Sequence, residues 1–164
     1  MRITPTAFAA LVLATSAVAQ GSPEPLPANY IRVNAPMAQR LTVATKAAHP
    51  EIKKLGLHAT PDGGTDNAII GSDIASKIGK KSSAPDMQHL ASGQPFVTRI
   101  DKEGIYDLLL PITDRDGNSI GDGFVVMEVP LDKAANEAEA VRIGQVIRDE
   151  MQRQIASKAA LYGQ

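Results

Sequence analysis

The side chains with chemical potential in this chain are three imidazoles (His49, His58, His89), two polar groups inside apolar runs (Arg99, Tyr106), and scattered serines and carboxylates. An imidazole can bind a metal, move a proton or carry charge near neutrality. The three stand far apart, and no pair has the H-x-x-x-H spacing that would present two rings from one helical turn. His49 lies where a helical pattern ends, so a favourable interaction with the helix dipole is its simplest use. His58 falls in a strand pattern between Leu57 and Ala59, and His89 in a short helical one. No serine sits in G-x-S-x-G or in a usable S-x-x-K, so no nucleophile has its base. Cysteine is absent, which excludes disulfides, thiolate catalysis and thiolate metal sites together.

Two further motifs resolve into ordinary structure. "GKKSS" (Gly79 to Ser83) lacks the upstream glycine and strand-to-helix setting of a phosphate loop, and reads as an exposed crossover with Lys80 and Lys81 solvated. "DRDGN" (Asp114 to Asn118) begins like a calcium loop but has neither the later Glu nor flanking helices, and reads as a hairpin turn. Arg99 and Tyr106 carry more information, since each interrupts a strand. A strand arginine can offer its planar fork to a carboxylate and a tyrosine adds a directed hydroxyl; alternatively the arginine is an edge residue in water and the tyrosine a partly buried core residue. Asp107 and Asp122 also interrupt apolar strands, and each requires a partner or solvent.

The elements that must position these groups follow from periodicity. Asn34 can cap a helix with Pro36 in its first turn and Met37, Leu41, Ala44 and Ala48 on one stripe, ended by Pro50. "LGLHAT" and "NAIIGS" read as two antiparallel strands joined by "PDGGTD". Asp73 opens a crossover running to Asp86, with a short helix from about Asp86 to Ala91 that Gly93 closes. "FVTRID", "IYDLLLPIT" and "SIGDGFVVMEVP" supply a three-strand meander, and Asp132 can cap a final helix to about Lys158 with Val141, Gly144, Ile147, Met151 and Ile155 on its apolar stripe. Helix, two strands, crossover, meander, helix is an α+β layered domain with a five-stranded antiparallel sheet.

Gly121 and Gly123 stand at the foot of the last strand. With Asp114 opposite Asn118, Leu110 faces Asp122; a loop longer by one residue pairs Thr113 with Asn118 instead. In either register the two glycines share one face with Val125, Met127 and Val129, because strand side chains alternate. A face stripped of side chains marks either a close approach, twist or bulge, or room for a small ligand.

The N-terminal text "MRITPTAFAALVLATSAVAQ" has one basic residue, a short apolar segment and Ala17-Val18-Ala19, as a cleaved export signal over residues 1–19 requires. The apolar segment is shorter than the roughly 20 residues that span a bilayer. The expectation is a periplasmic or secreted protein, with residues 20–33, rich in proline, as a mobile linker and 34–160 as one domain. Losing Arg2 leaves 16 basic against 18 acidic residues, a net charge of about -2, which argues against nucleic acid or an anionic membrane as partner. Aromatic residues make up 4% of the chain, too few for a base- or sugar-stacking platform.

From Leu55 to Leu131 the chain resembles a known family. "NAIIGSDIASKIGKKSSAPDMQHLASGQPFV" followed by "GIYDLLLPITDRDGNSIGDGFVVMEVPL" is similar to the PAS-like extracytoplasmic sensor domains called Cache, in their single-module form. The resemblance implies a five-stranded antiparallel sheet, a long N-terminal helix, a loop and helix crossover and a C-terminal helix. It also implies a non-catalytic module for small-molecule binding or sensing; the chain departs from the family pattern in lacking flanking membrane helices and a cytoplasmic kinase, cyclase or chemotaxis portion, so the expectation is a stand-alone module. The expected ligand is a small carboxylate-bearing metabolite between the crossover and the sheet, with Arg99 and Tyr106 as polar contacts and His58, Asp73, Gly121 and Gly123 around it. No catalytic residue, metal or cofactor is expected. The rival reading is a protein-interaction module whose C-terminal helix docks on a membrane-bound sensor or on a second copy.

Overall fold

The computed structural model describes residues 25–163. The expected export signal lies outside the described residues. Apolar alternation and turn residues produce five strands: β1 (Lys54–Ala59), β2 (Ala68–Ser72), β3 (Phe96–Ile100), β4 (Ile105–Pro111) and β5 (Phe124–Pro130). Their order across the sheet is β2-β1-β5-β4-β3, every neighbouring pair being antiparallel. The meander β3-β4-β5 is contiguous, and β1 joins its far edge. The domain is α+β, as its pattern of elements requires.

Helices α1 (Pro36–Ala48), α3 (Glu137–Gln154) and the four-residue α4 (Lys158–Leu161) accompany one face; a 3₁₀ turn (Ala75–Lys77) and α2 (Ala84–Ala91) lie in the crossover on the other. The N-terminal helix has 13 residues, an ordinary length rather than a long one. Ala35, not Asn34, precedes it, with no side-chain cap. Its buried residues are Ala38, Thr42 and Thr45, whereas Met37 is exposed. The expected stripe was rotated by one position because α1 sits unusually close to β2. A Cβ built on Gly71 would lie 2.6 Å from both the Ala38 carbonyl and Thr42 Oγ1. Only small side chains fit such a seam, so the larger Met37 and Leu41 move off it.

The C-terminal stripe forms as its spacing demands from Gly144 onward, but at its start Ala140 is buried and the expected Val141 only half-buried. Ala140, Gly144, Ile147 and Met151 are buried in α3, and Ile155 is buried at its C-cap. They pack against Leu108, Leu110, Val125 and Met127 in one apolar cluster. The cap is Asn136, whose side chain accepts from Glu139 N, in place of the expected Asp132, and the helix stops at Gln154. Residues 29–31, expected in a linker, are instead stitched to the crossover: Ile31 N donates to Gly79 O and Lys81 N to Asn29 O, each at 2.8 Å.

The β4-β5 hairpin closes at the expected turn but not in the expected register. Asp114 N donates to Asn118 O at 3.0 Å, and Asp114 Oδ1 accepts from Asn118 N at 2.8 Å and Asp116 N at 3.0 Å, which consumes the carboxylate in shaping the turn. Leu110 then faces Val125 rather than Asp122. The three-residue offset is absorbed by a loop through Gly123 that buries Ile120 completely. An odd offset reverses faces, so Val125, Met127 and Val129 join Leu108 and Leu110 under α3.

Candidate functional site

The two glycines of the last hairpin do not lighten the sheet, since both precede β5. Gly121 adopts φ 93, and a Cβ there would meet Thr60 O at 2.5 Å; one on Gly123 would meet Ile112 O at 2.7 Å and run into Ile120. These positions are occupied by close backbone packing. The bare spot in the sheet is elsewhere, at Gly56 in the centre of β1, where a Cβ would find nothing nearer than His58 Nε2 at 3.6 Å.

Gly56 floors a cavity of about 340 Å³ between the crossover and the face formed by β1, β5 and β4. Alternation in β1 sends Leu55, Leu57 and Ala59 to the helical core and leaves Lys54, Gly56 and His58 on the cavity side. Register then lays a polar row across the sheet, with Lys54 opposite Glu128 and Glu128 opposite Asp107. Lys54 Nζ donates to Glu128 Oε1 at 2.6 Å, while Glu128 Oε2 is buried with no hydrogen-bond partner. Burial pushes the Asp107 carboxyl up to about 6, with Glu128 and Asp86 adding to the rise and Lys54 opposing it. The crossover adds Asp73, Lys77, Lys80 and Asp86 to the lining.

His58 is 7% exposed, stacked on Phe124 with ring centroids 4.3 Å apart. Burial pushes its imidazole down to about 4, with Asp86 opposing the drop and Lys80 adding to it. Its Nδ1 lies 2.8 Å from Ser82 Oγ, and Ser82 Oγ donates to Asn67 Oδ1 at 2.6 Å. Asn67 Nδ2 donates in turn to Asp122 O at 2.8 Å. Asp122, at φ 49, therefore serves by its backbone carbonyl rather than as an unpaired strand carboxylate. Asp73 Oδ1 accepts from Leu55 N at 3.0 Å and tethers the crossover to β1.

The six residues singled out from sequence are thus not one site. His58 and Asp73 line the cavity. Arg99 and Tyr106 face each other across β3 and β4 on the opposite, helical face, near the start of α3. Tyr106 is buried in the core, and its hydroxyl accepts from Arg99 Nη1 at 3.3 Å. Arg99 is exposed and paired with Asp101 at 2.8 Å. Lys54, Asp107 and Glu128 were missed as a group, because their juxtaposition depends on strand pairing. The available signal was Asp107 and Glu128 interrupting two apolar strands. Of the remaining imidazoles, His89 stacks on Phe96, and His49 bridges Glu51 and Glu150.

Among the described residues no group of three or more His, Cys, Asp or Glu is arranged to hold a metal ion, and no helix is long and apolar enough to cross a membrane. No family model matches the chain, and no curated protein matches it. Among solved structures, the C-terminal domain of the E. coli transcriptional regulator KdgR is similar at 13% identity and a TM-score of 0.46, covering 79% of this chain and 98% of that one. A likeness of that degree carries no argument about what this chain does.

Proposed function

We propose that this chain is a non-catalytic small-molecule-binding or sensory module of the Cache, PAS-like kind, exported from the cytoplasm, whose ligand lies between the crossover and the sheet. The observation that carries the reading is the cavity of about 340 Å³ over Gly56, a size suited to a small metabolite. Its lining holds polar groups that the fold does not use: no hydrogen bond from a described residue reaches the Asp107 carboxylate, buried Glu128 Oε2 has no partner among the described residues, and half-buried Lys80 and exposed Lys77 have no carboxylate within 4.0 Å among the described residues. Buried polar groups cost free energy when unpaired, so a lining of this kind favours an ionic occupant. The lysines supply the charge for a carboxylate-bearing metabolite, a role that Arg99 and Tyr106 cannot fill from the opposite face.

Thermal shift against organic acids and amino acids tests the reading. A ligand at one hundred times its Kd adds about 2.7 kcal/mol, a shift of several degrees. Gly56→Val raises a branched side chain from the floor of the cavity, its Cβ no nearer than 4.0 Å to backbone, and should abolish the shift while leaving the protein folded. Arg99→Ala should leave affinity within about twofold of the parent, as for any exposed ion pair away from the ligand. A hit that survives Gly56→Val lies elsewhere.

The second reading, self-association through the helical layer, is favoured by Val43 on α1 and Val146 on α3, which are 46% and 49% exposed. Sedimentation across a concentration series decides it, since a monomer at all concentrations removes this reading.

A further inference from the structure

A neutral imidazole has one donor and one acceptor nitrogen, and its neighbours decide which is which. At His58 the decision is made by a chain of hydrogen bonds anchored in backbone. Asn67 Nδ2 donates to Asp122 O at 2.8 Å and to Gly121 O at 3.5 Å, which turns Oδ1 toward Ser82. Ser82 has one hydroxyl hydrogen and gives it to that Oδ1 at 2.6 Å. Ser82 Oγ can then only accept from His58 Nδ1, 2.8 Å away, so Nδ1 carries the imidazole hydrogen. Nε2 is left as a bare acceptor with no partner among the described residues, on the cavity side of β1 beside the empty space over Gly56.

We propose that His58 is the specificity-determining residue of this cavity, accepting through Nε2 a hydrogen bond from a hydroxyl group of the ligand. The inference rests on the reading of the cavity as the binding site, and it narrows the ligand to a small hydroxylated acid. Burial keeps this imidazole neutral, Asp86 opposing the drop and Lys80 adding to it, so Nε2 accepts a hydrogen bond rather than donating one, and a ligand hydroxyl supplies the donor. Lys77 and Lys80, both on the cavity lining and without carboxylate partners, supply the charge for the acid group. An acid lacking the hydroxyl would bury Nε2 without a partner, and sites built around a hydrogen bond discriminate strongly for that reason.

The test uses matched pairs of acids that differ by one hydroxyl, malate against succinate and lactate against propionate, measured by calorimetry on the intact protein. The hydroxylated member should bind about tenfold more tightly, the equivalent of one well-made hydrogen bond. His58→Phe keeps the stack on Phe124 and leaves the Ser82 to Asn67 bond in place; it should reduce that preference to about twofold or less. Lys80→Met should weaken both members of each pair without changing their ratio. Nitrogen NMR of the unmodified protein provides a readout independent of any variant: His58 should be the Nδ1–H tautomer at neutral pH, and its Nε2 resonance should move when the hydroxy acid is added. Equal binding within each pair, or an Nε2–H tautomer in the free protein, overturns the role of His58 and leaves the cavity as a site. No binding by any acid, together with an unmoved Nε2 resonance, overturns both.

Discussion

The two faces of the sheet are built on opposite principles. Under α1 and α3 the contact is dry and close: Ile147 and Met151 are fully buried against Leu108, Leu110 and Met127, and glycines at 71 and 144 let helices approach. On the other face α2 contains no buried residue, and the space beneath it is lined by lysines and carboxylates. Stability concentrated on one face leaves the other free to keep polar groups that the fold does not need. A site can then be altered there with little cost to folding.

The largest effect expected from breaking this contrast is at Ile147. Ile147→Asp places a charge in the apolar cluster and should cost roughly 3 kcal/mol or more, read as a drop in denaturation midpoint. An unchanged midpoint would mean that the helical face is not the stabilising one. Gly144→Ala should cost up to about 1 to 2 kcal/mol, because the new Cβ would stand 2.7 Å from Leu108 Cδ1 and 2.9 Å from Leu110 Cδ1, buried side-chain ends that must shift to receive it.

The polar face should reveal itself through pH. The carboxyl of Asp107 is raised in the folded protein from 3.8 to about 6, so between these values the folded state binds more protons than the unfolded one. Stability from this group therefore falls as pH rises from about 4 through 6. Asp107→Asn should remove that slope and stabilise the protein at pH 7 by about 1 kcal/mol, a figure reduced for its partial exposure. An Asp107→Asn stability profile parallel to the parent's would refute the assignment.

The smallest effect concerns His49, which joins the two helices of the dry face at their rim. Burial alone would lower its pKa, but hydrogen bonds from its ring to Glu51 at 2.8 Å and Glu150 at 2.7 Å outweigh burial and hold it above 6.5. With its folded pKa raised, the clasp contributes fully below pH 6.5 and is lost as pH rises through the folded value. His49→Gln should therefore be less stable than the parent by up to about 1 kcal/mol at pH 5.5, the two converging at pH 9. Equal differences at both pH values would assign His49 a packing role alone.

Local signals were readable wherever a short window contains the whole cause. Ser83 and Asp86 form the reciprocal cap that starts α2, Gly117 takes the positive φ of its turn, and the stripe from Gly144 to Ile155 packs as spaced. Each depends on residues within a few positions of one another. The candidate site was legible only in fragments. His58 and Asp73 line the cavity under the crossover, whereas Arg99 and Tyr106, grouped with them from the sequence, lie on the other face.

The sequence by itself determined the elements, their antiparallel meander and the apolar stripe of the last helix, because side-chain period and turn chemistry are properties of contiguous residues. Only the tertiary structure decided the three-residue register offset at Leu110 and Val125, and with it the faces; an odd slip costs nothing in local pattern but reverses every side chain. It also decided the rotation of α1, since the fit of Ala38 and Thr42 against Gly71 is a contact between elements some 30 residues apart. The alignment of Lys54, Glu128 and Asp107, drawn from three strands, exists for the same reason: it is created by pairing, and no window of one strand contains it.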